Sequence, residues 1–191
     1  MRALYEWTMD LAAHKHARWG LALISFVESS VFPIPPDIIL IPMVLAQRAM
    51  AWVYATICTL SSVAGGVMGY AIGYFLFDTV GTAILDFYGK AEEFSTFQAQ
   101  YNEWGVWIVL IAGLTPFPYK IITIASGVTA LNFPIFIVAS LIARGIRFFA
   151  VAALLWYFGE PIRAFIDKYF GLLSIVFVVL LIGGFALLKY L

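Results

Sequence analysis

Residues 27–42 read VESSVFPIPPDIILIP, an apolar run that carries four prolines and two acids. Proline lacks a backbone donor and clashes with the preceding turn, so no single helix passes through 33–36. The segment from Gly20 to Ala46 therefore splits into two apolar halves of about ten residues each, where a bilayer span needs about twenty. Two half-length helices around a proline turn describe a re-entrant hairpin that enters and leaves on one face. Broken backbone at membrane depth is tolerated only where protein or a wet cavity covers it.

The rest of the chain supports a membrane setting. Hydrophobic residues make up 63% of the 191 and charged residues 12%, with a mean hydropathy of +0.96. A soluble domain is nearer half apolar and a quarter charged, so the composition describes an integral membrane protein. Formal net charge is zero, which gives no basic patch for nucleic acid. The lone Cys58 lies among apolar residues, and His14 and His16 lie in the polar N-terminal segment. No disulfide or Cys-rich metal site follows from such a set, and no metal or cofactor is expected. The first twenty residues mix polar and aromatic side chains, with charges through Arg18, and do not read as a cleavable signal peptide.

Working outward, residues 2–17 alternate apolar and charged side chains as an amphipathic interfacial helix does. Residues 51–77 are uninterrupted and apolar, the clearest spanning helix. Within it Ser61, Gly65, Gly69 and Gly73 recur every four residues, a row of small side chains that lets another helix approach closely. Residues 79–103 form the long polar segment and are expected to lie along the surface. Residues 105–130 repeat the broken pattern around Pro116 and Pro118. Residues 133–158 read as a second span and 170–191 as a third, after a short amphipathic link.

A shift of 83 residues lays FPIPPDIILI over TPFPYKIITI, matching Pro33 with Pro116, Pro35 with Pro118 and three isoleucines. It also lays 51–77 over 134–160. Each copy holds one hairpin and one crossing, so the second begins on the opposite side and the two are inverted. The expected fold is all-α: an N-terminal amphipathic helix (1–19), a membrane domain (20–158) and a linker with a C-terminal transmembrane helix (159–191). Within the domain, repeat 1 spans about 20–78 and repeat 2 about 103–158. Pro33, Pro35, Pro36, Pro116 and Pro118 make the hairpin turns. The same shift sets Asp37 opposite Lys120, which predicts that the two face one another if the tips meet.

Five charges fall in apolar surroundings: Glu28, Asp37, Lys120, Arg144 and Arg147. A charge in the hydrocarbon region is costly unless paired or wet, so each is a candidate substrate- or ion-binding residue. Glu28 has no basic neighbour in sequence, and its partner is either distant or a proton. Asp37 follows Pro36 and opens an apolar run, so it caps the second half-helix, with or without a further role. Lys120 sits at a half-helix start, where the dipole disfavours a cation; an anionic partner or snorkelling to the interface accounts for it. Arg144 and Arg147 share a helix face and suit either a phosphate clamp or pairing with Glu28 and Asp37. No metal-ligand cluster, Gly-rich phosphate loop or G-x-S-x-G elbow competes, and no enzyme is expected.

Glu28-Ser-Ser-Val-Phe-Pro33-Ile-Pro35-Pro36-Asp37, the glycine-rich helix, and GLTPFPYKIITIASGV followed by an arginine-bearing helix together resemble the DedA family, whose domain is shared with the eukaryotic VTT proteins. The resemblance covers roughly 20–158. It implies paired re-entrant helices and lipid handling: recycling of undecaprenyl phosphate or movement of phospholipid across a bacterial inner membrane, coupled to protons or sodium. The eukaryotic relatives are lipid scramblases. Glu28 and Asp37 match the family's acidic pair. Typical members place arginines around the second hairpin proline; here Thr115 and Tyr119-Lys120-Ile121 stand there, leaving Lys120, with Arg144 and Arg147 as substitutes from the next helix.

With re-entrant hairpins, Arg2, Lys15, Arg18, Arg48, Arg163 and Lys168 fall on one side, which the positive-inside rule makes cytoplasmic, the N-terminus with it. The C-terminus then falls opposite. The leading expectation is a flippase for an anionic lipid headgroup, with a phospholipid or polyprenyl phosphate and a proton or sodium ion as partners. An energy-independent scramblase is the alternative. From another class comes a non-transporting scaffold or chaperone, assembling through the Ser61–Gly73 face; a homo-oligomer is open under each.

Overall fold

The computed structural model describes residues 17–31, 35–115, 117–159 and 161. The expected N-terminal amphipathic helix (residues 2–17, all but its last residue), the C-terminal transmembrane helix, Pro33 and Pro116 lie outside these. Every regular element among the described residues is helical: α1 (Ala17–Ser30), α2 (Asp37–Ala46), α3 (Ala51–Leu76), α4 (Thr82–Tyr88), α5 (Ala91–Leu114), α6 (Tyr119–Val128) and α7 (Phe133–Phe158).

The proline-rich stretch ends one helix and starts the next. Pro36 takes φ −65° just before α2, the value its ring imposes and a helix start accepts. At 14 and 10 residues, α1 and α2 extend about 21 and 15 Å, well short of a bilayer core near 30 Å. α6, also of 10 residues, is equally short. In contrast, the helix containing α3 runs unbroken from Arg48 to Gly81, through a 3₁₀ turn at its start and a π turn at its end, and α7 spans 26 residues. Both are long and apolar enough to cross a membrane. Leu60, Val138 and Ile146 are more than half exposed on them, as lipid-facing side chains are.

Two buried clusters mark the ends of the α3–α7 pair. One gathers Ala17 and Leu21 of α1, Leu40 and Val44 of α2, Ala51 and Cys58 of α3, and Phe148 and Leu155 of α7. The start of α1 and the body of α2 thus lie at the same end of the bundle, and Glu28 near the end of α1 and Asp37 at the start of α2 lie against the middle of α7. The other cluster gathers Tyr70, Tyr101, Val109, Leu131 and Phe136, placing α5 and the exit of α6 together at the opposite end. The packing is reciprocal: α1 lies on α3 as α5 lies on α7, and α6 lies on α3 as α2 lies on α7.

The polar segment 79–103 is largely exposed, as expected, but its second half continues without a break into the apolar stretch that follows. Residues 91–114 form one helix of 24 residues, because nothing between Glu92 and Leu114 stops it. Its two glycines, Gly105 and Gly113, are covered by Leu131 and Ala143. The helix ends where Thr115 turns extended, the conformation required of a residue before proline. The first limb of the second hairpin is consequently a full-length helix, unlike α1.

Helix limits recur at a shift of 82, one less than the sequence match: Asp37 to Tyr119, Ala46 to Val128, Ala51 to Phe133 and Leu76 to Phe158. In this register Asp37 corresponds to Tyr119 and Lys120 to Ile38, so the opposition of Asp37 and Lys120 is lost. Ser62 corresponds to Arg144, each the twelfth residue of its 26-residue helix.

The small-residue row is also revised. Ser61 is only partly buried, whereas Ser62, Gly65, Gly66, Gly69 and Gly73 are sealed. The face is covered by the chain itself. A Cβ at Gly65 would overlap the Phe26 carbonyl of α1, and one at Gly73 the Ile124 carbonyl of α6. It therefore serves internal packing, and the scaffold reading loses its assembly surface.

Candidate functional site

Among the described residues Arg144 is the largest fully buried side chain, with no exposed surface. Its Nη2 donates to Glu28 Oε2 at 2.8 Å and its Nε to Ser62 Oγ at 2.6 Å. Ser29 Oγ donates to the same Glu28 oxygen at 3.0 Å and lies 2.7 Å from Ser62 Oγ. A hydroxyl has one proton. With Ser29 donating to Glu28, Ser62 donates to Ser29, and the four bonds close a ring in which two donor paths lead from Arg144 to Glu28, one direct and one through Ser62 and Ser29. The ring joins α1, α3 and α7 midway along both long helices, where an unpaired charge would be most costly.

Aromatic rings complete the enclosure. The Arg144 guanidinium lies 5.0 Å from the Tyr119 ring centre and 4.6 Å from that of Phe148, within cation–π range of both. Tyr119 is held in turn by its hydroxyl, which donates to Ser140 Oγ at 2.6 Å.

One turn along α7, Arg147 Nη2 donates to Asp37 Oδ2 at 2.6 Å. These side chains keep 20% and 22% of their surface, against 0% and 12% for Arg144 and Glu28. Asp37 is not a cap: no side-chain bond caps the start of α2, and the carboxylate in its first turn is turned to Arg147. Its position near the positive end of α2 stabilises the anion.

Four of the five candidate charges thus meet as two acid–arginine pairs, and Lys120 stands apart. Its ammonium donates to the Val31 carbonyl at 3.1 Å, and Thr123 Oγ1, one turn on, donates to the Ser29 carbonyl at 3.1 Å. Both acceptors are carbonyls at the exit of α1, which a helix end leaves without internal partners. Lys120 is poorly placed at the start of its own helix but well placed at the negative end of α1. Lys120→Met is expected to lose about 0.5–1 kcal/mol, a fall of about 2–4 °C in melting temperature, with Lys120→Arg largely restoring it. The same loss from Asp37→Asn, and none added by the double variant, would return Lys120 to Asp37.

Ser29, Ser62, Tyr119, Thr123 and Phe148 belong to the site but were not singled out by sequence. The available signal was weak: Ser29 adjoins Glu28, and Ser62 is the second residue of a Ser-Ser pair inside an apolar helix. Two outer grooves are lined by apolar residues, one of about 300 Å³ by Val106, Leu110, Ile135, Val138 and Ile142 among others. The quartet Glu28, Asp37, Arg144 and Arg147 is neutral as a set.

A family profile described as the VTT domain matches residues 34–157. An uncharacterized protein of Haemophilus influenzae is 35% identical over 186 residues, covering 97% of this chain and 96% of its own. An uncharacterized homologue from Histophilus somni is 35% identical over 161 residues, covering 84% of each chain. No solved structure matches the chain. The match takes in Asp37, both arginines and the two long helices, and the chain belongs to the DedA family of VTT-domain membrane proteins.

Proposed function

We propose that the protein moves an anionic lipid headgroup, that of a phospholipid or of undecaprenyl phosphate, across a bacterial inner membrane, coupled to protons or sodium. The observation that carries this reading is the neutral quartet of two acids and two arginines held midway along the spanning helices. A protein with only a structural task gains little from four charges there, since apolar replacements of buried ion pairs are often neutral or stabilising. In this reading α1–α2 and α5–α6 enter the bilayer from opposite faces, with half-helix ends meeting near the midplane. Arginine suits the phosphate because its planar fork binds it through two parallel bonds. The acids carry the coupling ion. Arg18 and Arg48 project from the bundle end shared by Ala17 and Ala51, which sets that end, and the N-terminus, in the cytoplasm.

Reconstitution into proteoliposomes with an imposed proton or sodium gradient tests the proposal by following movement of lipid phosphate between leaflets. Glu28→Gln and Arg144→Ala are expected to abolish it, with folding checked in detergent. Full activity in both variants sinks the mechanism. Movement in both directions, indifferent to either gradient, would identify a scramblase instead.

A further inference from the structure

We infer that the Asp37–Arg147 pair is a place-holder, in which each partner keeps the other's ligand site filled, so that an anionic headgroup on Arg147 and a cation on Asp37 bind only together. This rests on the transport reading and assigns its coupling to one of the two pairs.

The pairs differ in how readily they part. Freeing Arg144 means dismantling a closed ring of four hydrogen bonds and drawing a cation from between two aromatic rings. Its Nη1 has no protein partner, but the side chain has no exposed surface, so no headgroup reaches it before the bundle opens. Arg147 is tied to Asp37 by one bond from Nη2 and touches one ring, Phe148, at 5.6 Å. About a fifth of each side chain is exposed. The partners sit on separate elements, Arg147 on the long α7 and Asp37 in the first turn of the short α2, so parting them leaves both helices intact.

Charge balance supplies the coupling. An anion that takes Arg147 alone strands the Asp37 carboxylate in a largely enclosed site. A cation that takes Asp37 alone strands Arg147. Either cost is the penalty of an unpaired, partly buried charge, and binding both ligands removes it. By linkage, each ligand then raises affinity for the other by the same factor. The titratable and charged groups on the elements packed against α2 are Arg144, Arg147 and Tyr157 of α7, Cys58, Tyr54, Tyr70 and Tyr74 of α3, and Arg48 of the 3₁₀ turn before α3. Tyr54 is committed to Gln47, to which its hydroxyl donates, and Arg144 to Glu28. Asp37 is thus the acid that an anion at Arg147 sets free.

The test is binding of dihexanoyl phosphatidylglycerol, a diester of constant charge, to the full-length protein in detergent, by calorimetry. Wild type should bind about tenfold more tightly at about pH 5 than at about pH 8, or on adding sodium at the higher pH. Asp37→Asn should bind at least as tightly as wild type at its best, without response to pH or sodium. Asp37→Glu, which keeps the pair, and Glu103→Gln, which neutralises an exposed acid outside the site, should keep the response. A response retained by Asp37→Asn, or abolished by Glu103→Gln, overturns the assignment. Wild-type binding without any response overturns the inference while leaving the transport reading standing; no wild-type binding of this diester, of short-chain phosphatidic acid or of inorganic phosphate overturns both.

Discussion

Arg144→Met is expected to cost about 3–5 kcal/mol of stability, the usual result of removing one partner from a buried ion pair. The loss comes less from the missing attraction than from what remains: a Glu28 carboxylate that is 12% exposed and keeps only Ser29 as donor. Ser62 would lose its Nε donor as well, opening the ring that ties α1, α3 and α7. Glu28→Leu combined with Arg144→Met should recover most of the loss, since removing both charges removes the stranded one. Thermal unfolding in a single detergent measures both variants. A small loss from the single variant would place the pair in contact with water. A stable double variant that no longer moves lipid would separate the pair's functional role from its structural one.

Gly65→Ala should be nearly as damaging, though it adds one methyl group. The added carbon would lie on the Phe26 carbonyl, which is backbone and cannot swing aside, so α1 must move off α3. Overpacking of this kind costs up to about 3 kcal/mol, and Gly65→Leu should prevent accumulation of folded protein. Moving α1 also pulls Ser29 from Ser62, so residual folded Gly65→Ala should lose lipid movement too. Ser61→Ala is the control, with an expected change within about 0.5 kcal/mol because the residue is only partly buried. Equal damage from both would mean that the row packs in the i+4 register read from sequence.

The proline rule and the hydropathy of 20–46 and 105–130 are local properties, and they suffice to place the breaks at 31–36 and 115–118. The cost of charge in an apolar setting was enough to single out Glu28, Asp37, Arg144 and Arg147, all four of which the fold brings together. Lys120 was singled out by the same rule and sits elsewhere, because the rule identifies a charge in need of a partner and says nothing about which. Backbone carbonyls at a helix exit satisfy an ammonium as a carboxylate does, and they leave no mark in the residue types.

Two readings differ from the fold by one residue. The repeat register was set from prolines and isoleucines, yet helix limits recur at 82 residues rather than 83. One residue turns a helix face by about 100°, enough to replace Lys120 by Tyr119 as the counterpart of Asp37. The same rotation separates Ser61 from Ser62. Apolar residues facing lipid and those facing protein are chemically alike, so a span that is hydrophobic on every side does not reveal which side packs. Membrane class, helix breaks and the identity of the costly charges follow from composition and local sterics. Partnership between Glu28 and Arg144, 116 residues apart, and between Asp37 and Arg147, 110 apart, depends on how α1 and α2 seat against α3 and α7. That seating is decided by close packing at glycines and by the need to neutralise every charge at once, and both are properties of the assembled bundle.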